Sequence, residues 1–82
     1  MRKIEQAMCL AVGQKRTWKD GNTQVIFNED EFGEYADVFL HKNHIGTYNY
    51  MHVTFYVNHD TLAKWPTRTT KSRLRALGVR LV

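Results

Sequence analysis

A run of short strand-forming segments, separated by turn signals, occupies the middle of this 82-residue chain. The segments are rich in β-branched and aromatic residues, and Asp20-Gly21-Asn22 precedes them with a strong turn signal. The predicted strands are 23–27, 35–41, 44–48 and 52–57, joined by a loop at 28–34, a turn at 42–43 and a link at 49–51. Strands joined by such short connections pair antiparallel, so this region predicts an antiparallel sheet of about three to four strands.

Helical patterns lie on either side of the predicted sheet. Residues 3 to about 15 place apolar side chains at helical spacing, namely Ile4, Ala7, Met8, Ala11 and Val12. A second, short helix is predicted near the C-terminus, and the alternation in residues 79–82 leaves a short final strand as an option. The expectation is a single small α+β domain over residues 1–82, with an N-terminal helix, the sheet and a short C-terminal helix.

The C-terminal helix has a clear start and a clear end in the sequence. Pro66 disfavours helix at the residue before it, so the helix is expected to begin after the proline. Thr67 or Thr69 is the expected N-cap, because a threonine hydroxyl can accept a hydrogen bond from a backbone N–H one turn later. Gly78 stands where a residue with left-handed backbone ends a helix.

Positive charge is concentrated in the same region. From Lys64 to Val82 the chain has six basic residues and no acidic residue. Arg68 and Lys71 fall at the predicted helix start, where the helix dipole is already positive and acidic side chains would be stabilising. A cationic helix start with several hydroxyls suits a phosphate group, and the alternative is a solvated basic face. The net charge of +4 and the pI near 9.5 agree with a polyanionic partner.

Aromatic residues lie among these basic residues. Trp65 either anchors the C-terminal helix in the core or stacks on a nucleic-acid base, and Tyr48, Tyr50 and Tyr56 have the same two alternatives. The predicted nucleic-acid-binding residues are Trp65, Thr67, Arg68, Thr69, Thr70, Lys71, Arg73 and Arg75.

Catalytic, metal and cofactor sites are not indicated by the sequence. His41 and His44 have a spacing that two zinc ligands can adopt, but no cysteine pair completes such a site. The carboxylates of 28–34 do not have the spacing of an EF-hand loop, so an exposed acidic loop is the expectation. No glycine-rich phosphate loop and no nucleophile signature is present, and we expect no enzyme activity, no bound metal and no cofactor.

The cellular compartment is predicted from what the sequence lacks. Cys9 is the single cysteine, which excludes an internal disulfide and fits a small buried hydrophobe. No apolar run approaches the ~20 residues of a membrane span. Glu5 interrupts the apolar residues after the basic N-terminus, unlike in a signal peptide. The expectation is action in a reducing cytoplasm.

Two segments together resemble a widespread set of small bacteriophage proteins. The first is the hairpin 38–46 (VFLHKNHIG), similar to V-x-L-H-G-N-x-I-A, and the second is 65–77 (WPTRTTKSRLRAL), similar to W-x-S/T-x-T-T-K-S-R-L-N-A-L. Residues 20–25 (DGNTQV) also look like the D-N-T-x-V strand start of that set. Lys42 stands where glycine is common, and Arg75 stands where asparagine is common. The resemblance implies a phage origin and a compact α+β fold, and it supplies no activity.

Two functions from different classes are the resulting hypotheses. The first is a phage accessory protein that binds DNA or RNA without catalysis through its basic C-terminal helix, in the cytoplasm of the bacterial host. The second is a modulator or inhibitor of a host protein, serving host takeover by direct contact through the acidic loop 29–34 or the apolar strands. A homodimer, formed through a strand edge or the first helix, is compatible with either function.

Overall fold

Five antiparallel strands form one sheet whose spatial order is the order of the chain. The computed structural model describes residues 2–81. Its elements are α1 (Lys3–Gly13), β1 (Trp18–Asp20), β2 (Thr23–Asp30), β3 (Gly33–Leu40), β4 (Asn43–Asn49), β5 (Thr54–Val57), α2 (His59–Lys64) and α3 (Arg68–Ala76). Each strand pairs with the next one in sequence, so every connection within the sheet is a hairpin.

The core lies between one face of this sheet and the helices α1 and α3. Residues that are directly paired, such as Val25 and Val38, point to the same side of the sheet. The buried apolar side chains of this layer are Met8, Ala11, Val12, Val25, Ala36, Val38, Leu40, Ile45 and Leu74. No helix within residues 2–81 combines the length and the apolar character needed to cross a membrane.

The predicted strand count and helix arrangement were wrong. The sheet has five strands, because Trp18–Asp20 pairs with Thr23–Val25 across a tight turn in which Gly21 has φ 56°. This strand is only three residues long, so its side chains show no periodicity that sequence reasoning can detect. Its Trp18 is half-buried against the core, which explains why an otherwise polar connection adopts strand structure.

The C-terminal part has one helix more than the predicted fold, in the segment 58–64, where the sequence indicates a capped short turn or helix. A separate helix, α2, precedes α3, and Asn58 caps it by accepting a hydrogen bond from the Thr61 N–H at 3.1 Å. Residues 79–81 form no strand, although Val79 and Leu81 pack against the core. Val82, the last residue of the predicted final strand, lies outside the described residues.

The predicted acidic loop is mostly strand. β2 continues to Asp30 and β3 begins at Gly33, so only two residues form the turn, and Glu29 pairs directly with Glu34. Like charges opposite each other destabilise a sheet. Here Lys15 offsets that repulsion, because its Nζ lies 2.9 Å from Glu34 Oε1.

The two helices on the sheet run parallel to each other. Glu5 contacts Ser72, and one turn later Cys9 Sγ lies 3.2 Å from the Ala76 carbonyl oxygen. Their starts lie near the turns at 21–22 and 41–42, an end of the sheet that we name the basic end. Their C-termini lie near the turns at 31–32 and 50–53, which we name the acidic end. Tyr50 fixes this polarity, because its hydroxyl donates to the Val12 carbonyl.

The β3–β4 turn lies one residue earlier than predicted. It consists of His41 and Lys42, whose φ angles of 51° and 67° are those of a type I′ hairpin turn. A lysine in left-handed backbone is strained, because its Cβ approaches the next carbonyl oxygen, whereas glycine is not.

Replacing Lys42 by glycine is therefore expected to stabilise the fold. Relief of the left-handed strain outweighs the added flexibility of the unfolded chain, and we expect a gain of about 0.5–1 kcal/mol in the free energy of unfolding. Urea denaturation of Lys42→Gly and Lys42→Ala measures the effect. Lys42→Ala removes the same charge and keeps the Cβ, so equal stability of the two variants would contradict the explanation.

Candidate nucleic-acid interface

Helix α3 begins and ends where the sequence predicts. Thr67 is the N-cap, and its Oγ1 accepts a hydrogen bond from the Thr70 N–H at 3.1 Å. At the other end Gly78 has φ 91°, and its N–H donates to the Arg75 carbonyl at 3.0 Å. The Val79 N–H donates to the Leu74 carbonyl at 3.0 Å, which completes a Schellman motif. The helix is thus fixed at both ends by local chemistry.

The basic residues of α3 divide between two faces of the helix. Arg68, Lys71 and Arg75 stand at i, i+3 and i+7, which places them on one side; we name this set the basic stripe. Arg68 and Arg75 are exposed and Lys71 is half-buried. The opposite side carries Thr70, Arg73 and Leu74, all buried. The stripe therefore points away from the core.

Arg73 is not on the surface, although it belongs to the predicted binding residues. Its Nη1 lies 2.7 Å from Glu5 Oε2, and the two side chains are each only 4% exposed. Its Nε donates to Thr23 Oγ1 at 3.0 Å, and Ser72 Oγ donates to the same Glu5 oxygen at 2.5 Å. A guanidinium held in this way is not available to an external phosphate.

The carboxylate of Glu5 is held in its charged form. Burial raises the pKa of Glu5, but the hydrogen bonds from Ser72 and Arg73, together with the charge of Arg73, outweigh burial and leave the pKa below its ordinary value of 4.5. Within residues 2–81 every buried side-chain nitrogen and oxygen has a hydrogen-bond partner. The network is thus a satisfied structural element that links α1, α3 and β2.

The threonines of the predicted site serve mainly the helix itself. Thr67 Oγ1 also lies 2.9 Å from the buried Thr70 Oγ1, so both hydroxyls have partners inside the protein. Thr69 is half-buried beside them. Trp65 differs from these residues, because it stands between α2 and α3 with 48% of its surface exposed. Of the two alternatives for Trp65, the structure leaves its ring accessible to a base.

Charge is segregated along the long direction of the sheet. The basic end carries exposed cations from several elements, namely Arg2, Lys3, Lys42, Lys64 and Arg68. The acidic end carries four of the eight carboxylates of the chain, Glu29, Asp30, Glu31 and Glu34. Both sheet-covering helices direct their positive dipole ends toward the basic end, which adds to the positive potential there.

A polar cluster on the uncovered face of the sheet was missed by sequence reasoning. Asp37 Oδ1 lies 3.0 Å from His44 Nε2 and accepts a hydrogen bond from Thr47 Oγ1 at 2.6 Å. His44 Nδ1 lies 3.0 Å from the amide nitrogen of Asn58, whose oxygen caps α2. His44 therefore joins the cap of α2 to the sheet. The available signal was Asp37, which stands between the core residues Ala36 and Val38 in β3.

The two histidines whose spacing zinc ligands can adopt do not come together. His44 belongs to the polar cluster on the uncovered face, whereas the His41 ring lies 3.3 Å from the amide nitrogen of Asn22 at the tip of the hairpin. Within residues 2–81 no three histidine, cysteine, aspartate or glutamate side chains come together as a metal ion requires.

Comparison with known proteins identifies a family to which this chain is similar. A family model described as Kyanoviridae Gp96 protein matches residues 1–81, which is nearly the whole chain. No curated protein and no solved structure matches the chain.

The Glu5–Arg73 network makes stability depend on pH in a defined window. Because the pKa of Glu5 is lowered on folding, its stabilisation is complete above the ordinary value of 4.5 and is lost as the pH falls through the folded value. We expect the wild-type chain to lose more free energy of unfolding than Glu5→Gln between pH 5 and strongly acidic pH. Urea denaturation across this range measures both, and parallel pH profiles would exclude this role of Glu5.

Proposed function

The chain belongs to the Kyanoviridae Gp96 protein family, a family of phage proteins, and we propose that it is a phage accessory protein that binds nucleic acid without catalysis. The binding surface in this proposal is the basic stripe of Arg68, Lys71 and Arg75, together with the ring of Trp65. Thr70 and Arg73 are not part of it, because both side chains are buried.

The observation that carries the proposal is the unpaired basic stripe. None of its three cations forms an ion pair with a carboxylate of residues 2–81. Of the eight acidic residues, four lie at the acidic end, Glu5 pairs with Arg73 and Asp37 lies beside His44, while Asp20 and Asp60 are exposed and form no ion pair with the stripe. A folded chain whose exposed cations have no internal partner is well suited to a polyanion, because phosphates neutralise them and release counterions.

The expected mode of contact is to the phosphate backbone. Arginine and lysine side chains on one helix face reach phosphate oxygens along a strand and carry little sequence information. Arg68 stands in the first turn of α3, so the helix dipole adds to its own charge. Trp65 precedes that turn and is placed to stack on an unpaired base. The contacts therefore favour weak sequence preference and strong salt dependence.

Removal of two stripe cations is expected to weaken binding and to flatten its salt dependence. For Arg68→Ala/Lys71→Ala we expect the affinity to fall about tenfold at physiological salt. The slope of log affinity against log salt should decrease by about 1.4 for single strands or about 1.8 for duplexes. Fluorescence anisotropy with labelled single-stranded DNA, duplex DNA and RNA measures both quantities.

The matched control for this experiment removes two cations elsewhere. Lys15→Ala/Arg16→Ala changes the net charge by the same amount in the segment after α1, near the acidic end. This control variant is expected to keep its nucleic-acid affinity within about twofold of that of the wild-type chain, with a nearly unchanged slope against salt. Equal losses in the two double variants would reduce the effect to net charge and would contradict a localised site.

Trp65 provides a second test, which distinguishes the forms of nucleic acid. Removal of the Trp65 ring in Trp65→Ala is expected to cost about 1–3 kcal/mol of binding free energy for single strands, because base stacking is lost. Duplex affinity should change little, since paired bases are not accessible to the ring. Trp65→Phe keeps an aromatic ring and should recover most of the single-strand affinity. An equal loss for both forms in Trp65→Ala would show that stacking is not its role.

A further inference from the structure

The acidic end exposes three large apolar side chains on two neighbouring turns. Phe32 in the β2–β3 turn is 80% exposed, and Met51 and Val53 in the β4–β5 turn are each 72% exposed. The two turns are adjacent, because a Cβ on Gly33 would lie 3.8 Å from the Met51 methyl carbon. We name these three residues the apolar patch. Such side chains grouped at one end of a small domain are typical of a contact surface.

Folding of the chain itself does not account for the apolar patch. Hairpin turns usually contain glycine, asparagine, aspartate or serine, which tolerate the turn geometry and remain solvated. Val53 has φ 51°, a left-handed conformation that a β-branched residue adopts only with strain. Its side chain gains almost no burial in return. Polar residues at these positions would make the turns more stable and better solvated. The apolar side chains therefore indicate a role other than folding.

Carboxylates surround the patch. Glu29, Asp30 and Glu31 precede Phe32, and the Asp30 carboxylate accepts a hydrogen bond from the Phe32 N–H at 2.8 Å. Glu34, by contrast, is paired with Lys15. Together with Phe32 and Met51, these carboxylates line an open concavity of about 550 Å³. The concavity thus combines exposed apolar side chains with a rim of carboxylates, and Lys15, which also lines it, offsets the charge of Glu34.

We propose that the acidic end docks a protein partner through a segment in which basic side chains flank an apolar one. Lysine or arginine side chains of such a segment pair with the rim, while its apolar side chain covers Phe32 and Met51. A nucleic acid is not the occupant, because the rim carboxylates repel phosphate. This proposal goes beyond nucleic-acid binding, since its residues lie in the turns at 31–32 and 50–53, whereas the basic stripe lies along α3.

An external partner fits the charge distribution better than a second copy does. A second copy would have to present its own basic end, and the stripe cations would then be withdrawn from nucleic acid. An external basic segment leaves the stripe free. One chain can in that case hold a nucleic acid at one end and a protein at the other.

The test uses two synthetic peptides and two variants of the full chain. The probes are a labelled peptide of alternating lysine and leucine and a matched peptide in which serine replaces leucine. Phe32→Ser/Met51→Ser removes apolar area without a change of charge, and Glu29→Gln/Glu31→Gln removes rim charge with little change of shape. Leu10→Ser is the control, because Leu10 is 55% exposed on α1, outside the patch.

We expect the lysine–leucine peptide to bind the wild-type chain at least about tenfold more tightly than the lysine–serine peptide. The patch variant and the rim variant should each bind the lysine–leucine peptide about tenfold more weakly than the wild-type chain does. The affinity of Leu10→Ser for this peptide should stay within about twofold of the wild-type value. Unchanged peptide binding in both patch variants would overturn the proposal. Concentration-dependent assembly of the wild-type chain in sedimentation velocity, abolished by Phe32→Ser/Met51→Ser, would overturn it in favour of a second copy.

Nucleic-acid affinity separates this docking proposal from the proposed nucleic-acid function. Phe32→Ser/Met51→Ser keeps every charge, so its affinity for single-stranded DNA should equal that of the wild-type chain. Loss of peptide binding with intact DNA binding supports an independent docking end. A parallel loss of both would place the patch within the nucleic-acid surface and would overturn the docking proposal.

Discussion

The buried ion pair between Glu5 and Arg73 is the interaction on which the rest of this structure depends. It joins residues 68 positions apart in the sequence, and through Thr23 it also joins both helices to the sheet. Burying two charges is costly, and removal of one partner from such a pair typically costs about 3–5 kcal/mol. A small domain has only about 5–15 kcal/mol of total stability, so loss of one partner would remove a large part of it. Together with the contact of Cys9 with Ala76 one turn later, it aligns α1 with α3 in parallel, so that both helices begin at the basic end.

The ion pair shows why the binding surface was only partly predictable from the sequence. A single basic segment cannot reveal that one of its cations has a partner at the other end of the chain. The spacing nevertheless held a signal, because Arg73 shares its helix face with Leu74, and Glu5 shares one with Met8 and Val12. Two opposite charges on core-facing positions of two helices predict a buried pair. Composition alone placed Arg73 wrongly with the exposed cations.

Local chemistry predicted those elements whose determinants are close together in sequence. The start of α3 at Thr67 and its end at Gly78 are explained by capping, and the longer strands by β-branched and aromatic residues. Strand β1 was missed because three residues give no pattern, and it exists only because Trp18 packs on the core while pairing with Val25. The same limit applies to the His44–Asp37 cluster, whose members come together only when β3 and β4 pair.

Charge segregation in this domain is a consequence of its topology. In an antiparallel sheet with hairpin connections only, successive turns alternate between the two ends, so every second turn of the sequence lies at the same end. The turns at 21–22 and 41–42 therefore lie with the start of α3, while the turns at 31–32 and 50–53 lie together at the other end. Acidic and apolar residues in one set of turns, and basic residues beside the other, then produce two surfaces of opposite character. A chain of this size gains two separated contact surfaces in this way from a single core, without a second domain.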